Sequence, residues 1–418
     1  MTLSSPGAPR SAALIFIFIT VLMDVLGFGL IIPVLPKLVE QFMGGNTASA
    51  ARIYGVFGAG WALMQFFFAP LLGMLSDRFG RRPVILLSCA GMGLDYIFMA
   101  LAPSLKWLFV GRLISGMTAA SFSVAGAYIA DVTPAEKRAS AFGMIGAAWG
   151  LGFIIGPVAG GLLASIDPRW PFWAAAALSL SNGLYGLFVL PESLPPERRS
   201  PLKLAKANPL GALSLLRSQP RLLGLAGVYF LFQLSHYVFP STFVLYAGYR
   251  YGWDARTIGF VMLIVGICSV LVQAVLVKRL VALLGERRSL LTGMMFGTVG
   301  LLIYAAAPVG WVFILAIPVC ALMGLVGPAL QALMSNRVAA SEQGRLQGAN
   351  ASVMGIAGIL APALFTQAFA WFIAPGTPVH LPGAPFYIAA LLFAMAWILA
   401  SRFAHPLAQP LIPAAQTT

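Results

Sequence analysis

Twelve long apolar segments run through the 418-residue chain and limit the folds that it can adopt. A helix needs about 20 mainly apolar residues to cross the hydrocarbon core of a bilayer. Only helices and closed barrels satisfy backbone groups in lipid, and these runs are too long and continuous for barrel strands. We therefore predict an all-α integral membrane protein with twelve transmembrane helices. The predicted spans, numbered 1 to 12, are 12–34, 53–75, 83–102, 107–130, 139–165, 170–190, 222–245, 257–279, 288–307, 311–334, 346–373 and 384–403.

The composition agrees with a membrane protein and excludes several other classes. Apolar residues make up 60% and charged residues 9%, against roughly 45–50% and 25% in soluble domains. The three cysteines have no metal-ligand spacing, and the chain has no phosphate-binding loop or nucleophile–base constellation. We expect no cofactor, no metal and no enzymatic activity. The apolar run that contains Asp24 is interpreted as a first span rather than a removed signal peptide.

The net charge of +14 could indicate a nucleic-acid partner. In a membrane protein it more readily reflects basic cytoplasmic loops. If both termini are cytoplasmic, 19 of the 26 lysines and arginines lie inside and 6 outside, with Arg112 within span 4. We expect a multi-pass protein of the cell inner membrane, with both termini cytoplasmic and no bound nucleic acid.

A basic, proline-containing segment at 191–221 divides the spans into six and six. We predict an N-terminal six-helix bundle (1–190), a cytoplasmic linker (191–221) and a C-terminal six-helix bundle (222–418), a layout typical of transporters built from repeats. Between spans 8 and 9, the stretch from Lys278-Arg279 to Gly285-Glu286-Arg287-Arg288 is a fainter copy of the motif from Gly73 to Arg82 between spans 2 and 3. This internal copy indicates duplication.

The stretch from Gly73 to Arg82, GMLSDRFGRR, is predicted to be a loop in which Gly73 and Gly80 allow a tight reversal. It resembles the loop after the second helix of major facilitator transporters and implies their fold. The alternative interpretation is a basic turn that only fixes topology. The predicted gate residues are Gly73, Asp77, Arg78, Gly80, Arg81, Arg82 and Asp131.

Three ionic residues lie inside the spans: Asp24, Asp95 and Arg112. A charge at bilayer depth costs roughly 2.5–3.5 kcal/mol on insertion scales, so such residues tend to be functional. We assign all three to proton coupling. The alternatives are an acid hydrogen-bonded between helices for packing and an arginine in a structural ion pair. Among ionisable residues of the second half, only His236 lies well inside a span.

Small residues recur in span 5 at Gly152, Gly156 and Gly160, with Pro157 beside them. Four-residue spacing puts small residues on one helix face and allows close packing, which is the alternative interpretation. The pattern resembles the glycine–proline signature of proton-driven major facilitator antiporters, which implies a bend at the interface of the two bundles.

Neutral polar residues inside the spans are candidate substrate contacts, although each could instead form a helix–helix hydrogen bond. With Trp61, Trp149 and Tyr128 they suggest a cavity for a mixed polar and apolar organic molecule. The candidates are Gln65, Asn182, Gln233, His236, Gln273, Gln331 and Asn350.

Several stretches resemble the tetracycline-efflux branch, including DVLGFGLIIPVLP at 24–36, AGAYIAD at 125–131 and PALQA at 328–332. The resemblance implies that Asp24, Asp77, Asp95, Asp131 and Arg81 matter for transport. Where the branch has a histidine in span 8 and an aspartate in span 9, this chain has Ser269 and Gly297. Those residues serve drug–metal recognition and proton coupling in the branch.

The expected function is proton-coupled antiport that exports an amphiphilic, drug-like molecule by alternating access, with the chain acting as a monomer. The alternative is a proton-coupled symporter or facilitator for a small organic nutrient or metabolite. In the expected mechanism Asp77 contacts the N-terminal end of span 11, near 344–347, and Arg81 pairs with Asp131. These contacts would close the cytoplasmic gate.

Overall fold

The computed structural model describes residues 10–119, 121–134, 137–202, 208–218, 220–339 and 342–404. Over these residues the chain is helical and has no strands. The α-helices are α1 Arg10–Ile31, α2 Leu35–Phe42, α3 Thr47–Phe79, α4 Arg81–Ala100, α5 Leu105–Thr118, α6 Ser121–Val132, α7 Arg138–Ala164, α8 Trp170–Val189, α9 Pro220–His236, α10 Val238–Tyr251, α11 Ala255–Leu271, α12 Val277–Ala306, α13 Gly310–Ala321, α14 Val326–Ser335, α15 Gln343–Ile373 and α16 Ala384–Phe403.

Each predicted span corresponds to one helix or to two consecutive helices. Ten stretches of the described chain are long and apolar enough to cross a membrane. One of them, Ala255–Ala306, contains both span 8 and span 9. Span 4 consists of α5 and α6, on either side of residue 120. The all-α architecture with twelve spans is therefore confirmed.

The turn between the second and third spans is much shorter than the predicted loop. Helix α3 continues to Phe79, and Gly80 alone, with φ 105°, leads into α4. Gly73 lies inside α3 with open space around it. The prediction that Gly73 supports a reversal was wrong, because the polar residues of this stretch form the last turn of a helix. The Ser76 hydroxyl donates to the Gly73 carbonyl at 2.7 Å within that turn.

The predicted linker contains two short 3₁₀ helices, Pro196–Arg198 and Gly211–Arg217. Leu215 and Leu216 are buried in the main hydrophobic core. Residues 203–207 and 219 of the linker prediction lie outside the described residues, as do residues 1–9, 120, 135–136, 340–341 and 405–418 of the two bundle predictions. Part of the linker is therefore packed against the bundles.

The two bundles contact each other closely at one end. We call the end that carries Gly80 and Gly285 the basic end, and the other the opposite end. Toward the opposite end, a Cβ built on Gly55 of α3 would lie 2.0 Å from Thr366 Oγ1 of α15. A Cβ on Gly161 of α7 would lie 2.4 Å from the Ala255 carbonyl oxygen. Glycine therefore allows the backbones to approach there.

The basic end is open between the same helices. Among the described residues, Gly73 of α3 and Gly344 of α15 have no atom within 4 Å of a built Cβ, and neither has Gly143 of α7. At these three glycines the helices therefore lack the close contacts that they make toward the opposite end. We interpret the conformation as closed at the opposite end and open at the basic end.

The second span of each bundle begins with a side-chain cap. The Asn46 side chain accepts from the Ser49 backbone N–H at 2.9 Å before α3, and Asp254 accepts from the Thr257 N–H at 2.8 Å before α11. Hydrogen bonds from the hydroxyl and backbone N–H of Thr257 lower the pKa of Asp254 below its usual value. In both caps a side-chain oxygen accepts from the backbone N–H three residues later, but only Asp254 is ionisable.

Candidate functional site

An ion network around Arg81 lies at the basic end. Arg81 Nε donates to Asp131 Oδ2 at 3.0 Å, and Arg81 Nη1 donates to Ser76 Oγ at 2.7 Å and to Asp77 Oδ1. Arg81 is 8% exposed. The predicted contact between Arg81 and Asp131 is present, and Arg81 bridges the ends of α3 and α6.

The predicted contact of Asp77 with the start of α15 is absent in this conformation. Among the described residues, the Asp77 carboxylate pairs with Arg81 only. The physical reason is that the helices are apart at the basic end, where Gly344 has open space. Arg78 is exposed and has no ion pair among the described residues. Arg82 instead donates to the Leu187 carbonyl of α8.

Asp24 lies in the packed interior of the first bundle, with 1% of its surface exposed. Asn182 Nδ2 donates to Asp24 Oδ1 at 2.9 Å and to the Thr20 carbonyl at 3.0 Å. Asn182 was predicted to contact substrate, but the structure places it against Asp24. The amide and the carboxylate join α1 to α8.

Asp95 and Arg112 lie on the neighbouring helices α4 and α5. Asp95 is 3% exposed, and neither carboxylate oxygen has a hydrogen-bond partner among the described residues. A Cβ on Gly111 would lie 3.2 Å from Asp95 Oδ1. Asp95 and Arg112 interact electrostatically, but no ion pair within 4.0 Å joins them. Asp95 is therefore a buried acid that lies near Arg112 but forms no direct ion pair with it in the described part of the chain.

The Arg112 guanidinium faces a row of aromatic rings that we call the aromatic wall: Trp61, Phe28, Phe153 and Trp149. Arg112 lies 5.0 Å from the Trp61 ring centroid, a cation–π distance. Centroid separations along the row are 5.9 Å for Trp61–Phe28, 6.0 Å for Phe28–Phe153 and 5.4 Å for Phe153–Trp149. All four rings are partly exposed. The wall is a mainly apolar surface that ends in a cation.

The prediction for this surface was partly wrong. Trp61 and Trp149 belong to the wall, but Tyr128 is fully buried and its hydroxyl donates to the Pro191 carbonyl at 3.0 Å. Tyr128 therefore anchors the start of the linker. Phe28 and Phe153 were missed. Each lies one helical turn after a residue that was singled out, Asp24 in α1 and Trp149 in α7, and that spacing could have identified them.

The second bundle supplies polar and aromatic groups. His236 ends α9, is exposed and is flanked by Phe232 and Phe239 at 6.0 and 5.8 Å between ring centroids. Asn350 Nδ2 donates to Gln331 Oε1 at 3.0 Å, which brings together two predicted contacts from α15 and α14. This hydrogen bond leaves the two side chains with fewer free polar atoms for a substrate.

The other predicted contacts differ in their surroundings. Gln273 is exposed and lies in a π-helical turn, Val272–Leu276, between α11 and α12. Such turns occur often at functional sites. Gln65 and Gln233 are half-buried, with no side-chain hydrogen bond in the described part of the chain. These three amides can still bind a ligand.

The glycines of span 5 pack within the first bundle rather than between the bundles. A Cβ on Gly156 would lie 2.7 Å from Gly29 Cα, and one on Gly160 would lie 2.2 Å from the Leu30 carbonyl oxygen. Gly152 likewise faces Val25 of α1. The implied location of these glycines at the bundle interface was wrong, because their face of α7 is turned toward α1.

Pro157, in contrast, lies at the interface between the bundles. A Cβ on Gly259 of α11 would approach the Pro157 carbonyl oxygen to 2.6 Å. Helix α7 therefore presents different faces to α1 and to α11.

Gly297 of α12 is enclosed. A Cβ at this position would lie 2.4 Å from Phe393 Cε1 and 3.1 Å from Met323 Cβ. The structure therefore has no room for an acidic side chain where the tetracycline-efflux branch has an aspartate.

Comparison with known proteins agrees with the fold. The family model of the Major Facilitator Superfamily matches residues 17–362 and 225–415. The class C tetracycline resistance protein of Escherichia coli is 41% identical over 86% of this chain and 90% of its own length. Multidrug resistance protein 2 of Bacillus subtilis (strain 168) is 31% identical, over 83% of this chain and 87% of its own length. The nucleoside transporter NupG superposes with a TM-score of 0.74 at 14% identity, covering 94% of this chain and 98% of that one.

The chain belongs to the Major Facilitator Superfamily. It is a multi-pass membrane transporter with a small-molecule substrate, and it resembles the tetracycline resistance proteins over most of its length.

Proposed function

We propose that this transporter exports a flat, amphiphilic, drug-like molecule in exchange for protons, by tetracycline-like efflux. Its similarity to several classes of tetracycline resistance protein supports this activity. The excess of basic residues at the end that carries Gly80 supports an orientation with that end and both termini in the cytoplasm, in the inner membrane. The twelve spans supply both bundles that face the proposed site, so we propose that a monomer suffices.

The observation that supports proton exchange most strongly is that buried Asp95 lies beside Arg112. A buried carboxylate without a hydrogen-bond partner is costly in its charged form. A proton removes that charge, and the fixed positive charge of Arg112 compensates it when the proton has left. Asp95 is therefore the group that we expect to exchange protons. Asp24, already bonded to Asn182, would transmit the change to α1 and α8.

The aromatic wall is the proposed substrate surface. Flat rings of a substrate can stack on partly exposed aromatic side chains, while the guanidinium of Arg112, which lies over the Trp61 ring, can donate its terminal N–H groups to the oxygen atoms of the substrate. The exposed amides and His236 of the second bundle would contact the other side of the same molecule.

The open conformation suggests how the cytoplasmic gate closes. With the basic end open, Asp77 pairs with Arg81. We propose that closure of this end brings Asp77 to the start of α15, where the helix dipole favours a negative charge. Substrate and proton would each shift the population between the two conformations.

The second bundle argues against the metal complex of tetracycline as the best substrate. Gly297 is enclosed and uncharged, and Ser269 replaces the histidine of the branch. The site therefore lacks two groups that serve drug–metal recognition and proton coupling in the branch. We propose that the chain prefers a metal-free amphiphile.

The test uses inverted membrane vesicles acidified inside by respiration. Addition of tetracycline or another planar drug should release protons from the lumen and accumulate drug there. One proton moving across 100 mV supplies about 2.3 kcal/mol for this accumulation. If the drug instead leaves the lumen together with protons, the chain is a symporter. Vesicles with Asp95→Asn should show neither proton release nor accumulation, and unchanged activity of this variant would refute the assignment.

A further inference from the structure

The first ten residues of the linker, 191–200, lie across the turn at Gly80, and we call them the strap. Glu192 Oε1 accepts from the Arg81 backbone N–H at 2.9 Å and from the Leu194 N–H at 3.0 Å. Ser193 Oγ donates to Asp131 Oδ2 at 3.2 Å. The strap therefore touches both partners of the Arg81–Asp131 ion pair.

A second contact fixes the far end of the strap. The Ser200 backbone N–H donates to the Asp77 carbonyl oxygen at 3.0 Å. Together with the Tyr128–Pro191 bond, it ties the strap to α3 and α6. The linker thus begins as part of the gate network before it continues toward the second bundle.

Helix α4 needs such a partner. Its first backbone N–H groups have no acceptor inside the helix. The residue before it, Gly80, has no side chain to cap them and provides none of the usual cap bonds. The Glu192 carboxylate supplies the missing acceptor and a negative charge at the positive end of the helix dipole.

Glycine at position 80 makes this contact possible. A Cβ there would lie 2.2 Å from Glu192 Oε2. At the corresponding turn of the second bundle, Gly285 has no atom of the described chain within 4 Å of a built Cβ. The contact with a linker carboxylate is therefore specific to the first turn and is not a general requirement of the fold.

We propose that Glu192 is a positioning residue of the gate. By capping α4 it fixes the main chain of Arg81, and this directs the guanidinium to Asp77 and Asp131. The consequence for transport rests on the proposed function, but the ordering of the turn does not. Loss of Glu192 should therefore loosen the turn and slow the conformational step without weakening substrate binding.

The test combines a transport assay with a spin label. Glu192→Ala should lower kcat about fivefold, the change that corresponds to the loss of a typical helix cap, and leave KM unchanged. Glu192→Gln, which keeps an acceptor oxygen, should recover part of the loss. Glu197→Ala is the matched control, since Glu197 makes no hydrogen bond or ion pair among the described residues.

A nitroxide on Phe79→Cys, in a background with serine at the three native cysteines, reports the order of the turn without any transport. Phe79 is 53% exposed and directly precedes Gly80. Label mobility should rise with Glu192→Ala and stay constant with Glu197→Ala. Unchanged mobility with Glu192→Ala would overturn the inference while the proposed function stands. Increased mobility in a protein that moves no drug would refute the proposed function alone.

Discussion

The two bundles contain the same turn with different chemistry around it. Gly80 has φ 105° and ψ 158°, and Gly285 has φ 76° and ψ 165°. Both conformations belong almost exclusively to glycine. Two residues later, Arg82 donates to the Leu187 carbonyl and Arg287 donates to the Ser401 carbonyl at 3.1 Å. Each turn is thus fastened to the last helix of its own bundle.

The charges beside the two turns differ. After Gly80 comes Arg81, which binds Asp131 at 3.0 Å. After Gly285 comes Glu286, which accepts from Asn336 Nδ2 at 3.3 Å. An ion pair in the first bundle corresponds to a carboxylate–amide contact in the second. Both halves keep the same backbone turn, whereas among the described residues the arginine–carboxylate hydrogen bonds beside it are found at the first turn.

The same asymmetry extends into the membrane. Asp24, Asp95 and Arg112 belong to the first bundle, while the enclosed Gly297 of the second leaves no room for an acid. From this difference we propose a division of labour in which the first bundle exchanges protons, whereas the second contributes substrate contacts that face those of the aromatic wall. The predictions below test that division.

The largest expected effect concerns Gly297. Gly297→Asp, which would restore the acid of the tetracycline-efflux branch, should strongly reduce the amount of folded protein. Overpacking against Phe393 costs about 1–3 kcal/mol, and an acid at bilayer depth adds roughly 2.5–3.5 kcal/mol. Detergent-solubilised protein should be measured by size-exclusion chromatography and thermal unfolding.

Gly327→Ala serves as a steric control for Gly297→Ala, because Gly327 has open space. Gly297→Ala should lower the Tm and Gly327→Ala should not. A well-folded Gly297→Asp protein would contradict the enclosed environment of Gly297, which distinguishes the second bundle from the first.

A smaller effect is expected when alanine replaces the glycine of each turn. Both substitutions should introduce about 1–3 kcal/mol of backbone strain. Gly80→Ala also displaces Glu192, so its maximal transport rate should fall by a further factor of about five relative to Gly285→Ala. Rates should be compared at equal amounts of protein in the membrane. Equal losses for both variants would show that the first turn has no special role.

The smallest effect concerns the caps at Asn46 and Asp254. Because the pKa of folded Asp254 is lowered, its ionised cap contributes stability above the unfolded pKa, near 3.9. That contribution disappears as the pH falls through the folded pKa. Asp254→Asn keeps the cap but loses about 0.3–1 kcal/mol of charge–dipole attraction at neutral pH.

Thermal unfolding of detergent-solubilised protein between pH 7 and pH 3 checks the direction of this pH dependence. The Tm difference between wild type and Asp254→Asn should shrink toward the acidic end. Asn46→Asp should introduce the same pH dependence into the first bundle. A Tm difference that stays constant with pH would exclude the ionised cap as its cause.

Much of the fold could be predicted because its signals are local. Long apolar runs define the helices, and the pattern of glycine and arginine marks both turns. The packed partners could not be predicted in this way. Asn182 contacts Asp24 across 158 residues of chain, and no single-helix pattern shows which face of α8 meets α1.

Prediction of the site residues from the sequence had the same limit. The Arg81–Asp131 pair was implied by family resemblance rather than by spacing. Glu192 was missed because its partner is a backbone N–H that almost every residue of the chain could offer. Tyr128 was misplaced because an aromatic residue in a span can serve either a cavity or the core. Gly73 was misread because polar residues near a membrane surface can continue a helix as easily as form a loop.

Drug exchange in proteoliposomes tests the central claim most directly. With equal pH on both sides, preloaded drug should exchange with labelled external drug through wild type, Asp24→Asn and Asp95→Asn alike, because exchange needs no net proton movement. With a pH gradient, only wild type should accumulate drug. The proposed proton exchange in the first bundle predicts this separation of exchange from accumulation. Gradient-driven accumulation by the Asp24→Asn, Asp95→Asn double variant would contradict it.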